Sequence, residues 1–158
     1  MKIIDNFFDK DLLDCINDQI QNMKFIPHGS GKTKEFLSFF YSEGILKERF
    51  WQFIFDKILE KTNIDEKECS RAYVNCYPYN TNTDWHIDNY DGGCEKTIIF
   101  YPTEWKKQYK GATIFKDKRV EYVENRLLIF NSSLEHATEK HKRKNMRYTL
   151  VYKVRRRR

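Results

Sequence analysis

The residues able to do chemistry gather in the second half of the chain: His86-Ile87-Asp88, then His136, then Arg147. On an extended strand, side chains two apart share a face, so His86 and Asp88 converge if that stretch is a strand. Two imidazoles and one carboxylate on one side of a metal leave the other side open, which is the donor set of a non-haem ferrous site. A lone H-x-D arises easily by chance, so the weight falls on the constellation. His136 follows Arg126-Leu127-Leu128-Ile129-Phe130, an apolar run that reads as a strand delivering it to the rim of a barrel. Arg147 opens Arg147-Tyr148-Thr149-Leu150-Val151-Tyr152, where Arg147, Thr149 and Val151 share a face. An arginine on the face of Val151 is mostly buried, and a buried guanidinium needs an anion. A divalent metal, one aspartate and one arginine leave two positive charges. A dicarboxylate would neutralise them, one end on the metal and the other in a two-bond fork with the guanidinium.

These side chains need a scaffold. Residues 10–24 read as a helix, with Leu12, Ile16 and Ile20 at four-residue spacing behind Asp9 as N-cap. Residues 45–61 read as a second, with Leu46, Phe50, Ile54 and Ile58 on one face. From about residue 71 the pattern becomes short β-branched and aromatic runs at 72–77, 85–88, 96–101, 112–115, 119–123, 126–131 and 146–154, with Asp91-Gly92-Gly93 as one turn. Helices followed by strands predict an α+β domain with a β-barrel or jelly-roll core over 71–154 and helical support over 1–65. No repeat or linker divides residues 1–158, and the basic residues 155–158 read as a tail.

The hydrophobic content of 40% excludes a disordered chain. The net charge is +6, and much of the excess sits late, at Lys140, Lys142, Arg143, Lys144 and 155–158. Such runs are solvated surface or a means of attracting an acidic partner such as nucleic acid. No segment approaches the roughly 20 apolar residues of a membrane span, and the first residues lack a signal-peptide core. Cys15, Cys69, Cys76 and Cys94 lack metal-binding spacing; they read as free thiols in a reducing cytoplasm, Cys76 within a strand. Gly29-Ser30-Gly31-Lys32-Thr33 imitates a phosphate-binding loop, but Ile26 stands where its first glycine belongs, so it reads as a surface loop. His28 and His141 fit no ligand position and read as surface residues.

A set of ordered motifs makes the picture specific. Cys76-Tyr77-Pro78, His86-Ile87-Asp88-Asn89, Lys110-Gly111-Ala112-Thr113-Ile114-Phe115, Asn125 to Phe130, His136 and Met146-Arg147-Tyr148-Thr149-Leu150 resemble the prolyl hydroxylase branch of the 2-oxoglutarate- and Fe(II)-dependent oxygenases. So does the opening Ile3-Ile4-Asp5-Asn6-Phe7-Phe8. The resemblance implies a double-stranded β-helix with His86, Asp88 and His136 on iron and Arg147 on the distal carboxylate of 2-oxoglutarate. Tyr77, Tyr101 and Thr149 match positions near that co-substrate. The cofactors implied are Fe(II), 2-oxoglutarate and dioxygen, with ascorbate as a candidate auxiliary reductant. The reaction implied is oxidative decarboxylation to succinate coupled to hydroxylation of a C–H bond, first of a prolyl residue in a peptide or protein. The same chemistry on a nucleic acid or small molecule, and a silent binding module of the same fold, are the alternatives. Aromatic residues in 78–85 and 102–109 (Tyr79, Trp85, Trp105, Tyr109) are expected to flank the mouth. Two departures stand out: Lys110 occupies a position where many relatives carry glycine, and the interval from His136 to Arg147 is long, which makes Lys144 a rival anchor.

Overall fold

In chain order the elements are β1 (Lys2–Ile4), α1 (Lys10–Gln21), β2 (Ile26–His28), β3 (Phe39–Glu43), α2 (Arg49–Thr62), β4 (Glu68–Tyr77), β5 (Lys96–Tyr101), β6 (Thr113–Phe115), β7 (Arg119–Val120), β8 (Arg126–Asn131), β9 (His136–Thr138) and β10 (Arg147–Arg155). The computed structural model describes residues 1–28, 39–89 and 93–157. The glycine-lysine segment, the turn at 91–92, the last arginine and the side chain of His28 lie outside the described residues.

Asp9 caps α1 as expected: it is extended and its Oδ1 accepts the Leu12 N–H at 2.9 Å. The helix stops at Gln21, earlier than residue 24, because Asn22 caps it. The second helix begins later than its apolar spacing indicates. Ile45–Lys47 form a single 3-10 turn after Gly44, which takes φ +74°, and Glu48 is extended before α2 starts.

Among the described residues the strands form an antiparallel seven-stranded sheet, ordered β1-β8-β5-β10-β4-β3-β2, and a three-stranded sheet, β7-β6-β9. Alternation splits the large sheet into two faces. Val74, Ile98, Phe100, Leu127, Ile129, Leu150, Tyr152 and Val154 point toward α1 and α2 and pack on Ile16, Ile20, Trp51, Ile54 and Ile58. Ile99, Tyr101, Leu128, Phe130 and Val151 point the other way and pack on Phe115, Val120 and Tyr122 of the small-sheet side. The inner face is apolar only in part, and its polar remainder forms the site.

The register of β4, β10 and β5 arranges the floor of that space in rows: Arg71, Lys153 and Thr97; then Tyr73, Val151 and Ile99; then Asn75 with Thr149; then Tyr77 with Arg147. Cys76 is buried within β4, and all four cysteines are free. Arg155, expected in a tail, closes β10 and pairs with Glu68 at 2.5 Å. β1 lies along the outer edge of β8, with Ile3 opposite Leu128. Asn125, at φ +59°, clamps the segment after β1, accepting the Phe8 N–H at 2.9 Å and donating to the Phe8 carbonyl at 2.7 Å. Arg126 grips Asp5 through two nitrogens.

Candidate active site

The stretch holding His86 and Asp88 is a loop, contrary to the strand expected at 85–88. Its one sheet-like feature is an isolated bridge between His86 and His136, with both N–H groups bonded across at 2.9 Å. The Asp88 N–H is held by the Ser132 carbonyl, also at 2.9 Å. Convergence therefore comes from pinning the loop onto β9 and the turn before it. The result is compact. His86 Nε2 lies 3.8 Å from Asp88 Oδ1, and His136 Nε2 lies 3.6 Å from Asp88 Oδ2. One donor atom from each residue falls within 4.8 Å of the other two.

The surroundings of each of the three residues fit a metal. His86 Nδ1 faces the Asp84 carbonyl at 2.8 Å and His136 Nδ1 the Leu134 carbonyl at 2.9 Å. A carbonyl only accepts, so both rings carry their proton on Nδ1 and turn the Nε2 lone pair to the cluster. Burial lowers the His136 pKa below 6.5, outweighing the attraction of Asp88, so the ring is neutral at neutral pH. Burial alone would raise the Asp88 carboxyl; the charges of Lys153 and His136 and hydrogen bonds from Thr97 and Lys153 reverse that and hold it below 3.8. Thr97 Oγ1 donates to Asp88 Oδ2 at 2.7 Å and Lys153 Nζ to Oδ1 at 2.9 Å.

Arg147 lines the same pocket, with Tyr77, Thr113, Thr138 and Thr149. It is fully buried. Its Nε donates to the Gly111 carbonyl at 2.9 Å, while Nη1 and Nη2 are buried without a hydrogen-bond partner. Two orphaned guanidinium donors form a fork that could take a carboxylate. Three rings hold the group: its Cζ is 5.1 Å from the Tyr77 centroid, 5.8 Å from Tyr101 and 5.0 Å from Tyr122. Burial pushes the Tyr77 and Tyr101 hydroxyls up against the opposing charge of Arg147, so both stay protonated. Tyr101 Oη sits 2.6 Å from Thr113 Oγ1, and Tyr77 Oη accepts from Asn75 Nδ2 at 3.0 Å. Gly111 takes φ +81°, and a Cβ there would lie 3.3 Å from Arg147 Cδ and 3.0 Å from His141 Cβ. The glycine therefore lets the backbone reach the guanidinium.

Two expectations need correction. His141 is fully buried. The basic turn folds back, His141 bridges Lys110, and its Nε2 lies 3.0 Å from the Tyr77 carbonyl. Trp105 does not offer a free face; it packs on Tyr122 at 4.5 Å and donates to the Lys110 carbonyl at 2.7 Å. Tyr79 and Trp85 are the exposed aromatics of the two loops. Lys144 lies on a surface groove with Arg143 and Tyr148, away from the pocket that holds Arg147. Sequence reasoning missed Thr97, Tyr122 and Lys153. Lys153 has the same strand parity as Arg147, which was the available signal.

A family model for the 2OG-Fe(II) oxygenase superfamily matches residues 72–154. The chain belongs to that superfamily. Its cofactors are accordingly Fe(II), 2-oxoglutarate and dioxygen. No curated protein matches the chain. Solved structures share the double-stranded β-helix at low identity. A Pseudomonas putida prolyl-4-hydroxylase has a TM-score of 0.76 at 16% identity over 99% of this chain and 92% of that one. A Trichoplax adhaerens prolyl hydroxylase, solved with a hypoxia inducible factor peptide fragment, scores 0.73 at 18% identity over 97% and 82%. HygX from Streptomyces hygroscopicus, solved with nickel, 2-oxoglutarate and hygromycin B, scores 0.76 at 9% identity over 98% and 82%.

Proposed function

We propose that this oxygenase hydroxylates a prolyl residue in a peptide or protein. His86, Asp88 and His136 hold the iron through two Nε2 atoms and one carboxylate oxygen. Arg147 receives the distal carboxylate of 2-oxoglutarate on its Nη atoms, with Tyr77, Tyr101 and Thr149 around it. The observation that carries the site assignment is the buried guanidinium with two unpartnered donors in the pocket of the His-Asp-His cluster. The bound iron and co-substrate supply the oxidising chemistry; one atom of dioxygen enters succinate and the other the product, with release of carbon dioxide. The protein's own residues fix tautomers at the two Nδ1 atoms, anchor the co-substrate and shelter the reacting carbon from water.

The peptide reading is supported by the prolyl hydroxylases of the same fold and by the exposed rings of Tyr79 and Trp85, flat surfaces suited to a proline ring. The basic C-terminus is partly engaged within the molecule: Arg155 pairs with Glu68, while Arg156, 3.8 Å from Asp65, stays exposed. Four free cysteines support a reducing, cytoplasmic setting, and no helix among the described residues is long and apolar enough to cross a membrane. The test is a mass-spectrometric screen for a +16 Da product across proline-containing peptides and oligonucleotides, with Fe(II) and 2-oxoglutarate. Peptide hydroxylation abolished by chelator is expected; products from oligonucleotides alone overturn the prolyl reading.

A further inference from the structure

Lys153 sits where a simple charge count of the pocket has no place for it. Its side chain is 12% exposed and its Nζ lies 2.9 Å from Asp88 Oδ1. Iron, Asp88, Arg147 and Lys153 together carry three positive charges, and 2-oxoglutarate removes two. One positive charge remains in a largely buried space. An ammonium whose carboxylate partner is shared with a divalent cation needs a further anion.

The position of Lys153 says which molecule brings it. Arg147 and Lys153 lie on the same face of β10, six residues apart, or about 20 Å of strand. A bound co-substrate would run from the proposed metal ligands toward Arg147. Lys153 stands toward the other end of the strand, so a co-substrate anchored on Arg147 leaves it to the primary substrate. Its neighbours reinforce the positive charge there. The Tyr73 ring is flanked by two cations, with Lys153 Nζ 5.7 Å and Arg71 Cζ 4.8 Å from its centroid. Val151 and Ile99 continue the apolar wall beside Tyr73.

Resting on the oxygenase reading above, we propose that the primary substrate carries a carboxylate close to the hydroxylated carbon and that Lys153 binds it. Either an acidic residue beside the proline or the carboxylate of a free amino acid supplies this chemistry. Calorimetry on the protein loaded with Mn(II) and 2-oxoglutarate without oxygen separates the two. The probes are N-acetyl-Pro-Glu-amide against N-acetyl-Pro-Gln-amide, and L-proline against L-prolinamide. At least one acid is expected to bind the parent about tenfold more tightly than its amide counterpart. Lys153→Gln erases that preference and Lys153→Arg keeps it. Mn(II) binds Lys153→Gln at least as tightly as the parent, because a competing cation has left Asp88. Equal affinity for acid and amide, no binding by either acid, or a preference that survives Lys153→Gln overturns the proposal. Loss of Mn(II) binding in Lys153→Gln also overturns it and makes the lysine a positioning residue for Asp88. Failure of the parent itself to bind Mn(II) and 2-oxoglutarate sinks the site assignment as well, so the two failures are distinguishable.

Discussion

On the helix side of β10, Leu150, Tyr152 and Val154 are completely buried, and the single hydroxyl among them donates to the Trp51 carbonyl at 3.1 Å. On the inner side, Arg147 is just as buried yet keeps two donors without partners, and Lys153 leans on a carboxylate flanked by two imidazoles. One strand thus presents a finished surface to its helices and an unfinished one to its pocket. The finished side contributes stability through packing. The unfinished side holds desolvated charge that a bound anion would complete.

The contrast breaks most sharply at the proposed metal ligands. Asp88→Ala, which removes the single anionic donor, is expected to weaken Mn(II) binding by more than about 100-fold while the far-ultraviolet spectrum stays that of the parent. On the helix side, Ile58→Ala opens a cavity under a fully buried side chain and costs about 2–5 kcal/mol by denaturant unfolding. The metal and co-substrate affinities of the folded Ile58→Ala protein remain those of the parent; a matching loss would erase the distinction between the faces.

Arg147→Met tests both sides of the argument at once. Without ligand the variant is at least as stable as the parent, because an apolar side chain replaces an incompletely paired buried charge. With 2-oxoglutarate at 100 times its Kd the parent gains about 2.7 kcal/mol, and the variant gains nothing at that concentration. A ligand-free Arg147→Met protein that unfolds far more readily would mean the guanidinium is already satisfied.

The smallest effect is a titration. In the metal-free protein His136, followed by NMR, takes up its proton with a midpoint below 6.5. A midpoint above that value would show Asp88 outweighing burial. The sign extends to stability: between the ordinary value and the lowered one the unfolded chain holds the extra proton, so stability contributed by His136 falls as pH falls through that window.

The sequence was most legible where one face of a strand was apolar. β5 and β8 begin and end where their runs do, and the parity that exposed Arg147 to the pocket held along β10. Bounds drifted where a local backbone choice intervened, as at Glu48, whose extended conformation interrupts the apolar spacing before α2. The site was legible as a set of residue types, but its geometry depends on contacts distant in sequence. His86 and Asp88 meet through the carbonyls of His136 and Ser132, and no alternation pattern encodes that. His141 was misread because a basic turn usually stays in water, whereas here it docks against Gly111. Lys153 was overlooked because lysine in a strand normally carries its charge out to solvent.

The short strand β1 has a consequence for handling the molecule. It caps the hydrogen-bonding rim of Leu127-Leu128-Ile129, and the Asn125 and Arg126 clasps hold it there. Deleting the first eight residues would bare a greasy, unpaired border that a second molecule could extend. Forms lacking β1 should therefore self-associate.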